Sequence, residues 1–330
     1  MQEVTRECLI NRASELLASG TVDRVLGWKK GEFAYDVTPA VFVAKEELEA
    51  DFVWNGFCGA NFSKYLIRET GKSNAKVLVF LKPCDTYSFN QLLTEHRFNR
   101  EKVYAIGVPC DGMLDVDAIK KTADSIIGVS VEGDSVKVET LYDGVVAVNR
   151  ADVLAERCKN CKSRRHVAYD ELLGESGDVI DSNRFDEVEK LEKMTADERY
   201  AFWQNELSRC IRCNACRDAC PACTCEKCVF DNPQSGIDNK AASNEFEEKL
   251  FHLIRAFHVA GRCTDCGECS RVCPQQIPLH LLNRKFIKDI NEFYGEYQAG
   301  AEVGSRAPIV NYTLEDIEPC DAVKGGDDNA

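Results

Sequence analysis

The sequence has little of what a membrane, secreted or nucleic-acid-binding protein needs. None of its apolar runs reaches the length of a bilayer-spanning helix, and residues 1–7 offer neither the basic nor the apolar part of a signal peptide. Lys and Arg are in deficit, with 41 against 55 Asp and Glu, so the net charge is −14. We therefore expect a cytoplasmic protein without a membrane span and without a nucleic-acid partner.

Catalytic signatures are scarce as well. The sequence contains no G-x-G-x-x-G fingerprint of a dinucleotide-binding fold. Acidic residues are plentiful, but none sits in a setting typical of general acid–base catalysis. The five histidines are expected at the surface or beside a metal centre rather than on the metal; they are His96, His166, His252, His258 and His280. These absences favour chemistry carried by a bound group.

Cysteine is the residue in excess, with 18 copies in 330 residues. A reducing cytoplasm does not favour a disulfide framework, so we expect most of these thiols to bind metal. Two runs have the pattern C-x2-C-x2-C-x3-C-P, one from Cys210 to Pro221 and one from Cys263 to Pro274. This spacing is typical of bacterial-type ferredoxins with two [4Fe–4S] clusters. Each proline ends the short helix that carries the fourth cysteine.

The ligand sets follow from this spacing, because the fourth cysteine of each run faces the other cluster. Cluster 1 is predicted to be held by Cys210, Cys213, Cys216 and Cys273, and cluster 2 by Cys263, Cys266, Cys269 and Cys220. The alternative is a non-redox protein with structural zinc. Zinc sites, however, usually pair C-x2-C motifs or add histidine at ligand spacing.

Cations surround these two runs in an otherwise acidic chain. They are Arg209, Arg212, Arg217, Lys227, Arg255, Arg262 and Arg271. Because a cluster with four thiolates is negatively charged, a nearby cation should stabilise its reduced state and raise its potential. For each one taken singly, a solvated surface position is the more ordinary expectation.

The N-terminal part, residues 1–180, is predicted to be an α/β domain with a mixed sheet. Apolar runs at 76–81 and 102–108 have the character of buried strands, and a helix is expected from about Thr86. Residues 125–149 alternate around two turns and predict two or three antiparallel strands. A Gly-, Ser- and Asp-rich linker is expected at 172–188.

The C-terminal part, residues 190–295, is predicted to be a mostly helical module around the two-cluster core. A capping box at Thr195 begins a helix that runs toward Cys210. An apolar stripe at helical spacing predicts core packing by Phe246, Leu250, Phe251, Ile254 and Phe257. Residues 281–293 are expected to be helical, and the tail, 296–330, to be disordered with an inert Cys320.

Four further cysteines have settings that suggest a third site. Cys84 and Cys110 each follow a predicted strand within Pro-Cys-Asp, and Cys158 and Cys161 form a C-x2-C. Since open α/β sheets build sites at the carboxyl ends of their strands, the four thiols can converge there.

Two interpretations are open for the cysteines outside these three predicted sites. Cys223, Cys225 and Cys228 either bind a further cluster, with Cys58 as a fourth ligand, or pack beside a cluster without binding it. Cys8 is expected to be buried on an amphipathic helix.

The order strand-Pro-Cys, strand-Cys-Asp-Gly and C-x2-C, followed by Tyr169, Asp170 and Gly174, resembles the beta-subunit family of F420-reducing hydrogenase and F420-dependent formate dehydrogenase. The resemblance covers about residues 20–180. It implies that Cys84, Cys110, Cys158 and Cys161 hold a [4Fe–4S] cluster. The ferredoxin half is similar to iron–sulfur subunits of sulfhydrogenases and anaerobic sulfite reductases.

The function expected from these features is that of an iron–sulfur electron-transfer subunit in a hetero-oligomeric oxidoreductase complex. The resemblance implies partners such as a hydrogenase, a formate dehydrogenase or a heterodisulfide-reductase-like subunit. Family members bind FAD, but their flavin-binding portion extends past the C-x2-C, and we expect the ferredoxin module to stand in its place here. The alternative is therefore a flavoenzyme that reduces F420, NAD(P)H or a sulfur compound.

Overall fold

The structure is a computed structural model that describes residues 4–177, 183–232, 234 and 245–311. Its N-terminal part is an α/β domain with a mixed sheet, as predicted. The helices that accompany the sheet are α1 (Arg6–Ala18), α2 (Lys45–Asp51), α3 (Ser63–Gly71), α4 (Pro83–Thr94), α5 (Val116–Lys120) and α6 (Glu156–Lys159).

Five strands form the main sheet in the order β2 (Val37–Phe42), β1 (Arg24–Lys30), β3 (Val77–Leu81), β4 (Val103–Gly107) and β8 (Glu171–Leu172). Strand β1 pairs antiparallel with β2, whereas β1 with β3, β3 with β4 and β4 with β8 are parallel pairs. Every residue of β3 is buried, which confirms the prediction of a buried strand from its continuous apolar run. The carboxyl ends of β3 and β4 therefore open onto the same edge of the sheet.

A second, antiparallel sheet confirms the alternation seen at 125–149. It consists of β5 (Ile126–Glu132), β6 (Ser135–Thr140) and β7 (Gly144–Asn149). Ile126, Val136 and Val138 pack with Leu114 and Val153 in a small core of their own.

Helix α4 begins three residues earlier than predicted. Pro83 occupies its first turn, where a missing N–H costs nothing, and the Asp85 carboxylate accepts a hydrogen bond of 3.3 Å from the backbone N–H of Lys82. Cys84 lies in the first turn of a helix, directly after β3.

The C-terminal part is helical, as predicted. It contains α7 (Asp186–Lys193), α8 (Ala196–Ser208), α9 (Ala215–Asp218), α10 (Glu245–His258), α11 (Glu268–Arg271) and α12 (Leu279–Tyr294). Thr195 and Glu198 form the predicted capping box of α8. The expected linker lies partly outside the described residues, and its end enters α7. Among the residues that the structure describes, no helix has the length and apolar character needed to cross a bilayer.

The prediction that the apolar stripe on α10 packs in the core is wrong in part. Phe251 is buried, but Phe246 and Phe257 are 72% and 64% exposed. The helix instead buries Glu248, His252 and Arg255, which are at most 3% exposed. Polar groups face inward because α10 packs beside the cysteine runs.

The beginning of the predicted disordered tail is ordered. Ala299 and Ala307 are buried, and the Tyr297 hydroxyl donates to the Gly261 carbonyl at 3.1 Å. The Gly304 N–H donates to the Thr94 hydroxyl on α4 at 2.8 Å. Residues 312–330, including Cys320, lie outside the described residues.

Candidate iron–sulfur centres

The two cysteine runs fold in the same way. Each contains two residues with left-handed backbone at equivalent positions: Arg212 and Asn214 in the first run, Asp265 and Gly267 in the second. Asn214 and Gly267 immediately precede the one-turn helices α9 and α11. These turns curl each run into the tight loop and short helix that its spacing predicts.

The fourth cysteine of each run interacts with cysteines of the other run: Cys220 with Cys263, Cys266 and Cys269, and Cys273 with Cys216. Charge repulsion from Cys273 and Cys213 contributes to the raised pKa of Cys216, and repulsion from Cys216 contributes to the raised pKa of Cys210. In the second group, charge repulsion from Cys220 and Cys266 contributes to the raised pKa values of both Cys263 and Cys269. These neighbours favour the predicted ligand sets, which stay a prediction.

These thiols suit a metal cluster better than water. Burial raises the pKa of Cys210 to about 12 and that of Cys266 to about 11, so at these two positions burial disfavours a free thiolate. A hydrogen bond with Cys223 instead lowers the pKa of Cys220. Four thiol donors per set and several buried cations match the needs of an anionic iron–sulfur cluster. The residues present therefore fit the group that the spacing predicts.

The third set of cysteines also converges. Cys84 on α4, Cys110 after β4, and Cys158 and Cys161 at α6 line one cavity of about 40 Å³. Burial raises the pKa of Cys110 to about 12, and its nearest thiol neighbours include Cys158 and Cys161. The adjacent parallel strands β3 and β4 bring these segments together at one edge of the sheet.

The cavity of the third site reaches the second cysteine run, since Cys266 is among its lining residues. Arg157 on α6 spans the junction. Its guanidinium donates to the Cys266 carbonyl at 2.9 Å, to the Glu268 carboxylate at 2.6 Å and to the Gly59 carbonyl at 2.8 Å. Burial alone would raise the pKa of Glu268, but Arg271 and Arg157 lower it to about 2.

A second buried ion pair joins the same two parts of the molecule. The Arg284 guanidinium on α12 donates to the Asp265 carboxylate at 2.8 Å and to the Asn160 carbonyl at 3.2 Å. Arg284 and Asp265 side chains are each only 2% exposed. The second run is therefore enclosed between the α/β domain and the helical module, whereas Cys213 in the first run is exposed.

Near Cys210, Glu248 is the neighbour that the sequence did not indicate, whereas His252 and Arg255 were among the side chains expected near the metal centres. The ring Nε2 of His252 lies 3.3 Å from the Cys210 sulfur, and burial lowers the pKa of His252 to about 3. Glu248, His252 and Arg255 are spaced four and three residues apart, so they share one face of α10. That spacing was a usable signal, but the apolar stripe on the same helix obscured it.

The leftover cysteines divide between two places. Cys223, Cys225 and Cys228 line a cavity of about 430 Å³ together with Arg217, Arg255 and Arg262. Cys58 is not among the residues that line it; its thiol is buried in the α/β core, 3.5 Å from the Val53 carbonyl. Cys8 is exposed, so the expectation that it is buried is wrong.

The fold and the thiol groups define an iron–sulfur protein built from an α/β domain and a two-cluster module. A family model described as a 4Fe-4S dicluster domain matches residues 206–277, which include both cysteine runs. The expectation of iron–sulfur clusters is thereby confirmed.

Two of the relatives found match this chain over more than four fifths of its length. The chain is 25% identical to the F420-dependent formate dehydrogenase subunit beta of Methanocaldococcus jannaschii, over 90% of this chain and 92% of that protein. It is also 25% identical to the F420-dependent formate dehydrogenase 1 subunit beta of Methanococcus maripaludis, over 83% and 87%. The predicted resemblance to these beta subunits is confirmed. The likeness to sulfhydrogenase and sulfite reductase subunits stays a prediction.

A solved structure gives a weaker likeness. A chain of the F420-reducing [NiFe] hydrogenase complex from Methanosarcina barkeri is 16% identical, covers 49% of this chain and 59% of its own, and has a TM-score of 0.36. A score this low supports no structural argument.

Proposed function

We propose that this protein is an electron-transfer subunit of an anaerobic oxidoreductase complex and that it holds three [4Fe–4S] clusters. Clusters 1 and 2 would occupy a bacterial-type ferredoxin core in residues 190–295. The third would be held in the α/β domain, residues 1–180, by Cys84, Cys110, Cys158 and Cys161. When bound, such clusters supply one-electron chemistry.

The observation that carries the proposal is the continuity of the three thiol groups. The cavity at the third site is lined in part by Cys266, a predicted ligand of cluster 2. Charge repulsion from Cys216, a predicted ligand of cluster 1, contributes to the raised pKa of Cys269, a predicted ligand of cluster 2. The three sites thus follow one another from the α/β domain to the exposed Cys213. An enclosed middle site and an accessible end site suit a protein that receives electrons at one surface and releases them at another.

The partners proposed are other protein subunits. The relatives' names identify them as beta subunits of formate dehydrogenases, so a catalytic formate dehydrogenase subunit is our first candidate. A hydrogenase or a heterodisulfide-reductase-like subunit is the alternative. A cytoplasmic location and a hetero-oligomeric assembly belong to the same proposal.

Iron content tests this function directly. We would purify the full chain anaerobically, measure iron, zinc and acid-labile sulfide per chain, and record the EPR spectrum after reduction with dithionite. Three clusters give roughly twelve irons. Roughly eight would remove the third site from the proposal, roughly sixteen would make Cys223, Cys225 and Cys228 ligands, and zinc without iron would overturn the proposal.

A pair of serine variants locates the third cluster. Cys158→Ser is expected to lose about four irons per chain and one EPR component. Cys8→Ser, which removes an exposed thiol from α1, is the matched control and should keep all of them. Equal iron in the two variants would show that the α/β domain does not hold a cluster.

One observation favours the catalytic flavoenzyme as a second candidate. A cavity of about 440 Å³ lies between the α/β domain and the helical module, with Tyr35, Phe57 and Phe202 among its lining residues and Arg157 and Cys273 at its wall. Aromatic walls and this volume are typical of sites for organic ligands. About one flavin per chain after desalting would favour this candidate, and a colourless filtrate after acid release would disfavour it.

A further inference from the structure

Arg255 occupies an unusual position on α10. It is 2% exposed, and its Nε, Nη1 and Nη2 atoms have no hydrogen-bond partner among the described residues. A guanidinium presents five N–H donors and stays charged in proteins. Burying it without a partner is costly, so the assembled protein is expected to place an anion beside it.

The groups around Arg255 come from both cysteine runs. Its electrostatic neighbours are Cys216 of cluster 1, Cys269 and Cys220 of cluster 2, and Cys223. The guanidinium therefore interacts electrostatically with thiols of both predicted ligand sets, and it lines the cavity that Cys223 also lines.

Other arginines near the cysteine runs have carboxylate partners. Arg157 pairs with Glu268 and Arg284 with Asp265. Arg262, which lines the same cavity as Arg255, donates to both Glu95 oxygens at 2.8 and 2.6 Å. Arg255 differs from these three because its guanidinium has no carboxylate partner among the described residues, and the groups that raise its pKa are thiols.

We propose that Arg255 is the shared countercharge of clusters 1 and 2, donating hydrogen bonds to sulfur atoms on both sides and raising both reduction potentials. This inference rests on the proposed function. Reduction of a cluster adds a negative charge, and a fixed cation nearby stabilises that state more than the oxidised one. One residue that interacts with both predicted ligand sets should therefore shift both potentials in the same direction.

The test is a potentiometric EPR titration of the full-length protein, after iron and sulfide per chain have been measured. Arg255→Met removes the charge and keeps an apolar side chain of comparable length. We expect the equilibrium constant for reduction of each cluster to fall at least tenfold. For a one-electron step this lowers each midpoint potential by about 59 mV. Arg255→Lys keeps the charge and should shift both potentials less. Arg262→Met, the matched control, removes a cation that is already paired with Glu95 and should shift both potentials less than Arg255→Met.

Several results would overturn the inference. In a fully loaded Arg255→Met protein, unchanged potentials would show that Arg255 is no countercharge, and a shift of one cluster alone would show that it is not shared. If Arg255→Met does not retain iron, Arg255→Lys decides: full iron in the lysine variant supports a requirement for charge. Iron loss from a folded lysine variant would instead show that Arg255 acts by packing.

A failure of the proposed function gives a different result. Wild-type protein without iron would remove the clusters themselves, whereas loaded protein with unshifted potentials removes only the role of Arg255. The rival role for Arg255 is to bind a soluble anion in the cavity beside Cys223. In that case Arg255→Met has wild-type midpoint potentials in phosphate-free buffer. Added phosphate then shifts the midpoint potentials of the wild-type protein and leaves those of the variant unchanged.

Discussion

At the scale of single residues, buried arginines do more than screen the clusters. Arg157 and Glu268 side chains are 6% and 3% exposed and 2.6 Å apart, and they connect the α/β domain to the second cysteine run. Removing one member of a buried pair leaves an uncompensated charge in a poorly solvated place, which costs far more than losing an exposed pair. The connection between the two parts of the molecule therefore depends on this one contact more than on any surface ion pair.

Arg157→Met is predicted to lower the free energy of unfolding by about 3 kcal/mol, the low end of the range for broken buried pairs, because Arg271 still pairs with Glu268. The measurement is the shift of the thermal unfolding midpoint of loaded protein under anaerobic conditions. Arg164→Met removes the exposed pair of Arg164 with Asp111 and should cost less than about 1 kcal/mol. Equal effects of the two substitutions would contradict the structural role of Arg157.

At the scale of elements, local sequence signals were sufficient where spacing alone determines the structure. The cysteine runs, the buried strand β3 and the capping box at Thr195 could all be predicted, because each depends on residues within a few positions of one another. The start of α4 was missed because Pro83 favours both a turn and a first helical turn. The face of α10 was misjudged because its inward side is decided by distant cysteine loops and not by its own apolar residues.

The tail was misjudged for a similar reason, since its order depends on a contact with α4. Gly300 has a φ of +75°, and a Cβ there would lie 1.9 Å from the Tyr87 carbonyl oxygen. Gly304 has a φ of +88° but open space around it. A substitution by alanine would cause backbone strain at both positions, but it would cause a steric clash only at Gly300.

Gly300→Ala is therefore predicted to detach residues 296–311 from α4, and limited proteolysis should cut this segment at least tenfold faster than in wild-type protein. Gly304→Ala should cost only the backbone strain of about 1 kcal/mol and accelerate cleavage much less. If both variants are cut at the same rate, strain alone explains the effect, and the contact with Tyr87 does not hold the tail.

At the scale of the whole molecule, the α/β domain and the module differ in what holds them together. The main core joins Trp28, Phe52, Phe80 and Leu78 with other apolar side chains, and it needs no metal. The cysteine loops instead contain buried cations and thiols whose pKa values burial raises. Without iron the buried Arg255 keeps its charge but loses the anionic clusters that would neutralise it. The apolar sheet and the metal-dependent loops should therefore respond differently to loss of iron.

Removal of iron is predicted to unfold the module selectively. Hydrogen exchange followed by mass spectrometry, before and after anaerobic treatment with an iron chelator, should show loss of protection in α9, α10 and α11 and retained protection in β3 and β4. Structural metal sites stabilise the fold directly, whereas β3 is buried among apolar side chains. Protein treated with the same chelator already saturated with iron is the control. Uniform loss of protection would mean that the sheet, too, depends on the clusters, and no loss would mean that the cysteine loops fold without metal.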